Sequence, residues 1–307
     1  MTRQLCYTVP AEYDGKTMQS FLRQGCGLSW RMVVKLKNVA GGIRIGDTTY
    51  RTIDTVWAGD TVCLTLPEDT VRVEPMAMPL CVVYEDRRVL VINKPPYLAV
   101  HPSAGKTDPT LANAVAAYYE AAGQPLSFRP LARLDRNTSG LLLAAKDAPA
   151  TFALRDKIHK TYYALALGEL QGSGTIDAPI RIKEGCTITR EVGEGGKPSV
   201  THWEALGSDG TITLLRLRLE TGRTHQIRVH LSSIGHPLAG DTMYGTDEQT
   251  LPRHALHCGT LAFEHPDTGE TVTLHCPLPD DMREVLRAHH IAYDTEERDT
   301  DGNLTIG

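Results

Sequence analysis

Apolar runs of strand length alternate with short charged or turn-rich segments along most of the chain, which predicts strands joined by loops. The run at 141–145 (LLLAA) directly follows the octet at 133–140 (RLDRNTSG). The Thr-Ser-Gly end of the octet suits a tight turn, because short hydroxyls bond to nearby backbone and glycine is free of φ restriction. The pattern therefore places Asp135 at the mouth of a buried strand, where water is partly excluded.

Other elements follow from the same periodicities. Strands are predicted at 42–45, 48–50, 61–66, 81–86, 89–92, 160–168, 211–219, 255–261 and 271–274. Helices are predicted to open at 14–17 and to span 29–38, 110–122, 148–159 and 280–288. A further helix is expected after Thr224 as its N-cap, with Ile227, Leu231 and Ile234 as its packing stripe. Residues 172–199, rich in glycine and charge, are predicted to form a mobile hairpin.

These elements fall into two predicted units. Residues 1–70 contain two helices, a hairpin bearing a cationic residue, a Gly-Asp turn and a last strand, an order that resembles the S4-type RNA-binding fold. Residues 71–79 have prolines and little apolar periodicity, which predicts a linker. Residues 80–295 then form the large domain, and residues 296–307 are predicted to be a disordered acidic tail.

Composition is that of an ordinary globular protein, with 41% hydrophobic and 22% charged residues among 307. No apolar run approaches the roughly 18 residues of a membrane span, and residues 1–10 lack the pattern of a secretion signal, so we expect a cytoplasmic protein without membrane contact. The seven cysteines are odd in number, scattered and never in a Cys-x-x-Cys pair, which predicts reduced thiols.

The net charge of −5 argues at first against a nucleic-acid partner, since such proteins usually meet phosphates with Lys and Arg. Residues 280–307 contain eight acidic residues against three arginines, so the rest of the chain is neutral overall. A neutral body can still carry a basic face. Net charge therefore does not exclude RNA binding.

Several polar side chains lie where predicted strands, helices and loops meet: Lys94, His101, Asp135, Tyr162 and Arg228. An Asp close to an Arg is expected to stay ionised, because the opposite charge offsets lost hydration. Such a carboxylate, partly desolvated, can act as a nucleophile or a base. From the residues alone, a solvated Arg-Asp-Arg turn and a purely structural loop at 93–102 remain alternatives.

Taken in order, the motifs resemble the RluA-type pseudouridine synthases. Residues 133–142, Lys160-Thr161-Tyr162 and 221–231 (TGRTHQIRVHL), with 235–237 and Gly240-Asp241, are similar to the three hallmark motifs of that family, and 93–95 and 100–102 to its first motif. The resemblance implies an α+β pseudouridine synthase fold, with a mixed, mainly antiparallel sheet and flanking helices, preceded by the S4-like unit. It also implies a monomer that isomerises selected uridines in structured ribosomal or transfer RNA, with no cofactor or metal.

By the same resemblance, Asp135 is the catalytic carboxylate, which either attacks the ribose C1′ or removes the C2′ proton. Tyr162 would stack on the uracil and assist proton removal from C5. Arg228 would pair with Asp135, and Ile227 would pack near the base. The target uridine would have to leave its stack.

Further contacts are assigned to the substrate and to RNA at large. Substrate-binding candidates are Lys94, His101, Arg136, Lys160 and Arg223, with Arg136 and Lys160 proposed for phosphate contacts. In the S4-like unit, RNA-binding candidates are Arg31, Lys35, Lys37 and Arg44, for which a solvated helix face is the plain alternative. Two positions depart from the family pattern: Ala132, where His is frequent, and Tyr97, where Gly is frequent.

Three other functions compete with this interpretation. His254, His257, Cys258, His265, His275 and Cys276 suggest zinc, but adjacent residues on a strand face opposite sides, so His257 and Cys258 would not easily share an ion. A catalytically silent RNA-binding or ribosome-assembly factor would not need the Asp, Tyr and Arg set. An RNA N-glycosidase could use a similar carboxylate, but it would release free uracil.

Overall fold

The computed structural model describes residues 4–66, 73–102, 107–124, 126–247 and 249–293. Residues 4–66 form a four-stranded antiparallel sheet in the order β1-β4-β2-β3. Its strands and helices are β1 (Gln4–Thr8), α1 (Met18–Ser20), α2 (Trp30–Lys37), β2 (Ile43–Ile45), β3 (Thr48–Thr49) and β4 (Thr61–Thr65), with a π-helical turn over Phe21–Gly25. The helices pack on one sheet face around a core that includes Leu22, Leu36 and Leu64.

Helix α2 confirms the element predicted at 29–38. Ser29 is its N-cap, and the Ser29 hydroxyl accepts a hydrogen bond of 3.2 Å from the Met32 amide. Met32, Val33 and Leu36 are buried, while Arg31 and Lys35 are exposed one turn apart. The assignment of this unit to the S4 type stays a prediction.

The cysteine prediction is wrong for one pair. Cys6 and Cys63 lie directly opposite each other in the register of β1 and β4, with their Cα atoms 4.1 Å apart, and form a disulfide. The pairing comes from strand register between positions 57 residues apart, which cysteine spacing does not reveal. Within the described residues the other five cysteines are free thiols.

The second unit is built on a ten-stranded sheet. Its strands are β5 (Cys81–Glu85), β6 (Val89–Lys94), β7 (Arg129–Pro130), β8 (Ser139–Ala145), β9 (Ile158–Leu167), β10 (Ser173–Asp177), β13 (Val200–Ser208), β14 (Ile212–Leu219), β15 (Leu256–Glu264) and β16 (Thr271–His275); β11 (Ile180–Ile182) and β12 (Arg190–Val192) form a separate hairpin. The helices are α3 (Leu111–Ala121), α4 (Ala148–Ala153), α5 (Gln226–Ser233) and α6 (Asp280–Ala288).

Strand β15 joins the two halves of this sheet. It pairs antiparallel with β9 and parallel with β8, the one parallel pair of strands in the described sheet, so Cys258 lies opposite both Tyr162 and Gly140. Every residue of β8 is buried. The loop that carries Asp135 and the strand that carries Tyr162 thus reach the same point of the sheet, although 27 residues separate the two in the sequence.

Two helix predictions were wrong at their ends. The helix predicted at 148–159 stops at Ala153, with Leu154 as its C-cap, and Asp156 then adopts a left-handed conformation (φ 62°) before β9 begins. The N-cap of α5 is His225 rather than Thr224, and His225 is also left-handed (φ 58°). Ile227 and Leu231 are buried as predicted, but Ile234 is 40% exposed and caps the C-terminus of α5.

The segment at 172–199 is more ordered than a mobile hairpin. β10 extends the main sheet, and β11 and β12 fold back on each other. The described part of the linker is also fixed by two hydrogen bonds to Asn113. The Asn113 side-chain amide donates to the Glu74 carbonyl, and the Asn113 main-chain carbonyl accepts from the Met76 amide. The predicted tail at 296–307 lies outside the described residues. Among the helices that are described, none is long and apolar enough to cross a membrane.

The pairing of β8 with β15 depends on Gly140, which has φ 106°. A Cβ atom built on Gly140 would lie 2.2 Å from the Cys258 carbonyl oxygen. Gly140→Ala is therefore expected to lower the free energy of unfolding by about 2–4 kcal/mol, combining left-handed strain with backbone overpacking. Denaturant unfolding measures this change. Gly172→Ala, with φ 70° and no atom within 4 Å of the new Cβ, is the control; equal losses in both variants would refute the packing argument.

Candidate active site

Asp135 lies in the turn that leads into β8, with its side chain 27% exposed. The turn is closed by a hydrogen bond of 3.1 Å from the Thr138 amide to the Asp135 carbonyl. The main-chain carbonyls of the next two residues, Arg136 and Asn137, each accept a hydrogen bond from a buried basic side chain. The Lys94 ammonium donates to the Arg136 carbonyl at 3.1 Å, and the Arg253 guanidinium donates to the Asn137 carbonyl at 3.0 Å.

Lys94 is fully buried at the end of β6. Its ammonium also donates to the carbonyls of Pro95 and Leu98, at 2.8 and 2.9 Å. Burial, together with the Arg253 charge, lowers the pKa of Lys94 to about 7. Since all three donors are taken by main-chain oxygens, Lys94 supports the loop at 93–98 and the Asp135 turn, rather than reaching substrate as the sequence had suggested.

Arg253 connects the Asp135 turn to the last helix. Its Nε and Nη2 donate to the two oxygens of Asp281 at 2.7 and 2.9 Å, while Nη1 donates to the Asn137 carbonyl. Such two-point pairing fixes the plane of a guanidinium. The first turn of α6 therefore helps to position the turn that carries Asp135.

Arg228, on α5, holds the Asp135 carboxylate. Its Nε and Nη2 donate to Asp241 at 2.7 and 2.9 Å, and its Nη1 donates to Asp135 Oδ2 at 3.3 Å. Burial would raise the pKa of Asp241, but the hydrogen bonds and charge of Arg228 outweigh it, so that pKa lies below its ordinary value. Burial of Arg228 opposes its charged form, but the carboxylates of Asp241 and Asp135 favour that form more strongly. The pKa of Arg228 is therefore raised. The site thus holds two carboxylates on one permanent cation.

The start of α5 is fixed by Gln226. Its side-chain oxygen accepts from the Arg223 amide and the Thr221 hydroxyl, and its side-chain nitrogen donates to the Val200 carbonyl. Asp241 is held in turn by hydrogen bonds of 3.1 and 3.2 Å from the Met243 and Tyr244 amides to its Oδ1. These contacts determine where Arg228 points.

His225 and Tyr244 line the other side of Arg228. The His225 Nε2 lies 3.8 Å from Asp135 Oδ2, and its Nδ1 lies 2.8 Å from the Tyr244 hydroxyl. The Arg228 guanidinium lies 4.9 Å from the centre of the Tyr244 ring, a favourable position for a cation on an aromatic face.

Tyr162 lies on β9, opposite Cys258, and is 7% exposed. Burial, then the neighbouring Cys258 and Asp135, raise the pKa of its phenol well above the ordinary value. Tyr162 therefore keeps its proton near neutral pH. Lys160 lies on the same face of β9, two residues away, and burial lowers its pKa.

The other predicted substrate residues are arranged around this centre. Ile227 is 4% exposed beside Arg228, within the main core. Arg136 is exposed, and its Nε donates to the Tyr97 carbonyl at 3.1 Å. His101 is exposed, with its ring 5.4 Å from that of Phe128. Arg223 is exposed, and its Nε donates to the Pro198 carbonyl.

Sequence reasoning missed several residues that build the site: His225, Gln226, Asp241, Tyr244, Arg253 and His254. The motifs at 221–231 and 240–241 contain His225, Gln226 and Asp241, but the sequence pattern assigned no function to these three residues. A signal was present for Asp241, because a buried Arg needs more than one acceptor and Asp241 closely follows α5. Nothing in the local sequence pointed to Arg253, because the two contacts that give it a role in the site, to Asn137 and Asp281, are distant in the chain.

Known proteins resemble this chain in sequence and in fold. A family model described as RNA pseudouridylate synthase matches residues 88–233. An uncharacterized RNA pseudouridine synthase of Bacillus subtilis, YjbO, is 37% identical and covers 86% of this chain and 96% of its own length. The ribosomal large subunit pseudouridine synthase D of Vibrio parahaemolyticus is 39% identical, with 82% and 83% covered.

Among solved structures, human RNA pseudouridylate synthase domain containing 1 is 29% identical, covers 71% of this chain and 97% of that chain, and has a TM-score of 0.53. The chain therefore belongs to the RNA pseudouridine synthases. Within them it is a member of the RluA-type family, an isomerase that acts on RNA. The predicted family, enzyme class and α+β fold are confirmed, and the silent RNA-binding alternative is not favoured.

Two buried histidines predict an acid-sensitive fold. His254 is hydrogen-bonded to Thr138 and His257 to Ser139, both at 2.9 Å. Burial, with nearby arginines, lowers the pKa of His254 from 6.5 to about 3 and that of His257 to about 4. Between these values and about 6.5 the unfolded chain binds protons that the folded chain cannot, so stability falls as pH falls through that window.

We expect each histidine to contribute up to about 1.4 kcal/mol per pH unit to this slope. Denaturant unfolding between pH 7.5 and pH 4.5 measures it, and His254→Asn should flatten the curve. The control is His290→Asn, at an exposed residue. A slope that His254→Asn leaves unchanged would contradict the assignment.

Proposed function

We propose that this protein converts specific uridines of ribosomal RNA to pseudouridine, with Asp135 as the catalytic carboxylate. The observation that carries the proposal is the Arg228 guanidinium, which donates to Asp135 while Asp241 holds it from the opposite side. Ribosomal RNA is favoured over transfer RNA because relatives of high coverage are named for the large ribosomal subunit. Transfer RNA is the second candidate substrate.

The reaction breaks the bond between ribose C1′ and uracil N1, turns the base, and forms a bond from C1′ to C5. The C5 proton then leaves and N1 gains one, so no atoms or electrons are gained or lost overall. Asp135 either attacks C1′ directly or removes the C2′ proton to free the base. Both routes need a carboxylate that the ribose can reach, and the Asp135 side chain is 27% exposed.

Tyr162 and Ile227 are proposed to hold the flipped base. The nearly buried ring of Tyr162 offers a flat apolar face beside Asp135, and Ile227 packs next to Arg228. Since the pKa of Tyr162 is raised, its phenol is protonated at neutral pH. Stacking therefore suits it better than acting as the resting base for the C5 proton.

The RNA around the target is proposed to contact two regions. Near the site, the exposed side chains of Arg136, Arg223 and His101 are proposed to meet phosphates, as is Lys160, which lies on the same face of β9 as Tyr162. In the N-terminal unit, the exposed Arg31, Lys35 and Lys37 of α2 and the half-buried Arg44 of β2 are proposed to bind RNA. A cytoplasmic location and a monomeric state stay predictions.

Asp135→Asn tests the catalytic assignment. The change is nearly isosteric and leaves Arg228 paired with Asp241, so turnover should be lost while RNA affinity stays within about tenfold. The assay follows ribosomal and transfer RNA transcripts carrying tritium at uridine C5, which is released when pseudouridine forms. Free uracil is quantified in parallel to detect glycosidase activity.

Asp156→Asn is the matched control, at an exposed residue whose left-handed conformation Asn tolerates. Turnover by Asp135→Asn at the wild-type rate would exclude the proposed role. Activity on transfer RNA alone would overturn the choice of substrate, and release of uracil without pseudouridine would overturn the reaction.

Arg31→Ala/Lys35→Ala tests RNA binding by α2. If both side chains meet phosphates, the slope of log affinity against log salt should fall by about 1–2. A salt titration of RNA binding measures this slope, with Arg287→Ala on the exposed side of α6 as the control. A slope identical to that of the wild type would count against this surface.

A further inference from the structure

His225 lies close to the Asp135 carboxylate, and the reaction above gives it no task. It lies at the N-terminus of α5 in a left-handed conformation, and its side chain is 11% exposed. Its Nε2 lies 3.8 Å from Asp135 Oδ2.

The neighbours of the His225 ring favour one of its two neutral tautomers. The Tyr244 hydroxyl accepts a hydrogen bond of 2.9 Å from the Arg190 amide, and it can either donate to the His225 Nδ1, 2.8 Å away, or accept from it. The Asp135 carboxylate on the other side of the ring can only accept. A neutral His225 with its proton on Nε2 and with Nδ1 as acceptor for the Tyr244 hydroxyl therefore suits both neighbours.

Arg228 and His225 lie next to the same oxygen of the Asp135 carboxylate. Arg228 Nη1 donates to Oδ2 at 3.3 Å, and the His225 Nε2 lies 3.8 Å from that atom. Oxygen Oδ1 has no hydrogen bond or ion pair among the described residues. The asymmetry leaves Oδ1 as the oxygen that can meet the ribose.

We propose that His225, held by Tyr244, is a positioning residue that fixes Asp135 through Oδ2 so that Oδ1 faces the ribose of the flipped uridine. This inference rests on the proposed catalytic role of Asp135. His225 itself makes no bond to substrate and moves no proton in the reaction. Its neutral form is the working form, because an imidazolium would pair with the carboxylate and draw electron density from it.

The environment of His225 sets the pH below which its neutral form is lost. The carboxylates of Asp135 and Asp241 favour its protonation, whereas the guanidiniums of Arg228 and Arg190 oppose it. The Tyr244 phenol also faces it, and burial raises the pKa of that phenol, so it stays neutral. Burial of the ring is the largest influence, and the pKa of His225 lies below its ordinary value of 6.5. Activity should therefore fall on the acidic side of neutrality.

His225→Asn is the principal test, since Asn tolerates the left-handed conformation but cannot reach both Asp135 and Tyr244. Single-turnover rates with C5-tritiated RNA are measured from pH 5 to pH 8.5. We expect the rate at pH 7.5 to fall about 10- to 100-fold through misplacement of the carboxylate, with KM for RNA within about threefold. The acid limb of the pH profile, which is the fall in rate at acidic pH that we assign to protonation of His225, should disappear.

Tyr244→Phe is the second variant and guards against a fold defect at position 225. It keeps the ring under Arg228 but removes the hydroxyl that meets the His225 Nδ1. We expect a smaller loss of rate and an acid limb moved from its wild-type midpoint. His290→Asn is the matched control, because His290 is exposed and also left-handed (φ 52°), and its profile should equal that of the wild type.

The outcomes separate this inference from the proposed function. If Asp135→Asn is inactive and both His225→Asn and Tyr244→Phe keep the wild-type rate and acid limb, the positioning role is wrong and the function stands. A rise in KM alone would make His225 an RNA contact and would also refute positioning. If Asp135→Asn is fully active, the catalytic role of Asp135 is wrong, and the positioning role of His225, which rests on it, is wrong as well.

Discussion

The site depends on one guanidinium shared between two carboxylates. Arg228 is nearly buried and Asp241 is 1% exposed, so each would be strongly destabilising without the other. Their two-point pairing fixes the plane of the guanidinium, which leaves Nη1 directed at Asp135. Asp135 can therefore stay partly open to substrate and still be held, because its partner is anchored elsewhere.

The turn that carries Asp135 is supported on its main chain rather than on its side chain. Lys94 and Arg253 bind two successive carbonyls of the turn, and each is itself tied to a different part of the fold. Lys94 holds the loop at 93–98, whereas Arg253 reaches Asp281 at the start of α6. Because Lys94 and Arg253 donate to main-chain carbonyls, they do not occupy the oxygens of the Asp135 carboxylate. This arrangement separates the positioning of the turn from the chemistry at its side chain.

The limits of prediction from sequence can be seen in particular elements. Helix α2 was predicted well because Ser29 caps it and its apolar residues follow helical spacing, both local properties. The end of α4 and the N-cap of α5 were predicted wrongly because left-handed residues other than glycine, Asp156 and His225, carry no local signal. The Cys6–Cys63 disulfide was missed for a related reason, since strand register brings the two residues together.

The sequence by itself determined many of the elements, the family and the residue types of the site, because periodicity, capping and motif order are local properties of the chain. It also singled out Asp135, Tyr162 and Arg228 as residues that belong together. Only the tertiary structure decided which groups hold them. The parallel pairing of β8 with β15 brings Asp135 and Tyr162 to one point, and Asp241, Tyr244 and Arg253 reach that point from distant segments. Contacts of this kind depend on packing in three dimensions, which no local pattern encodes.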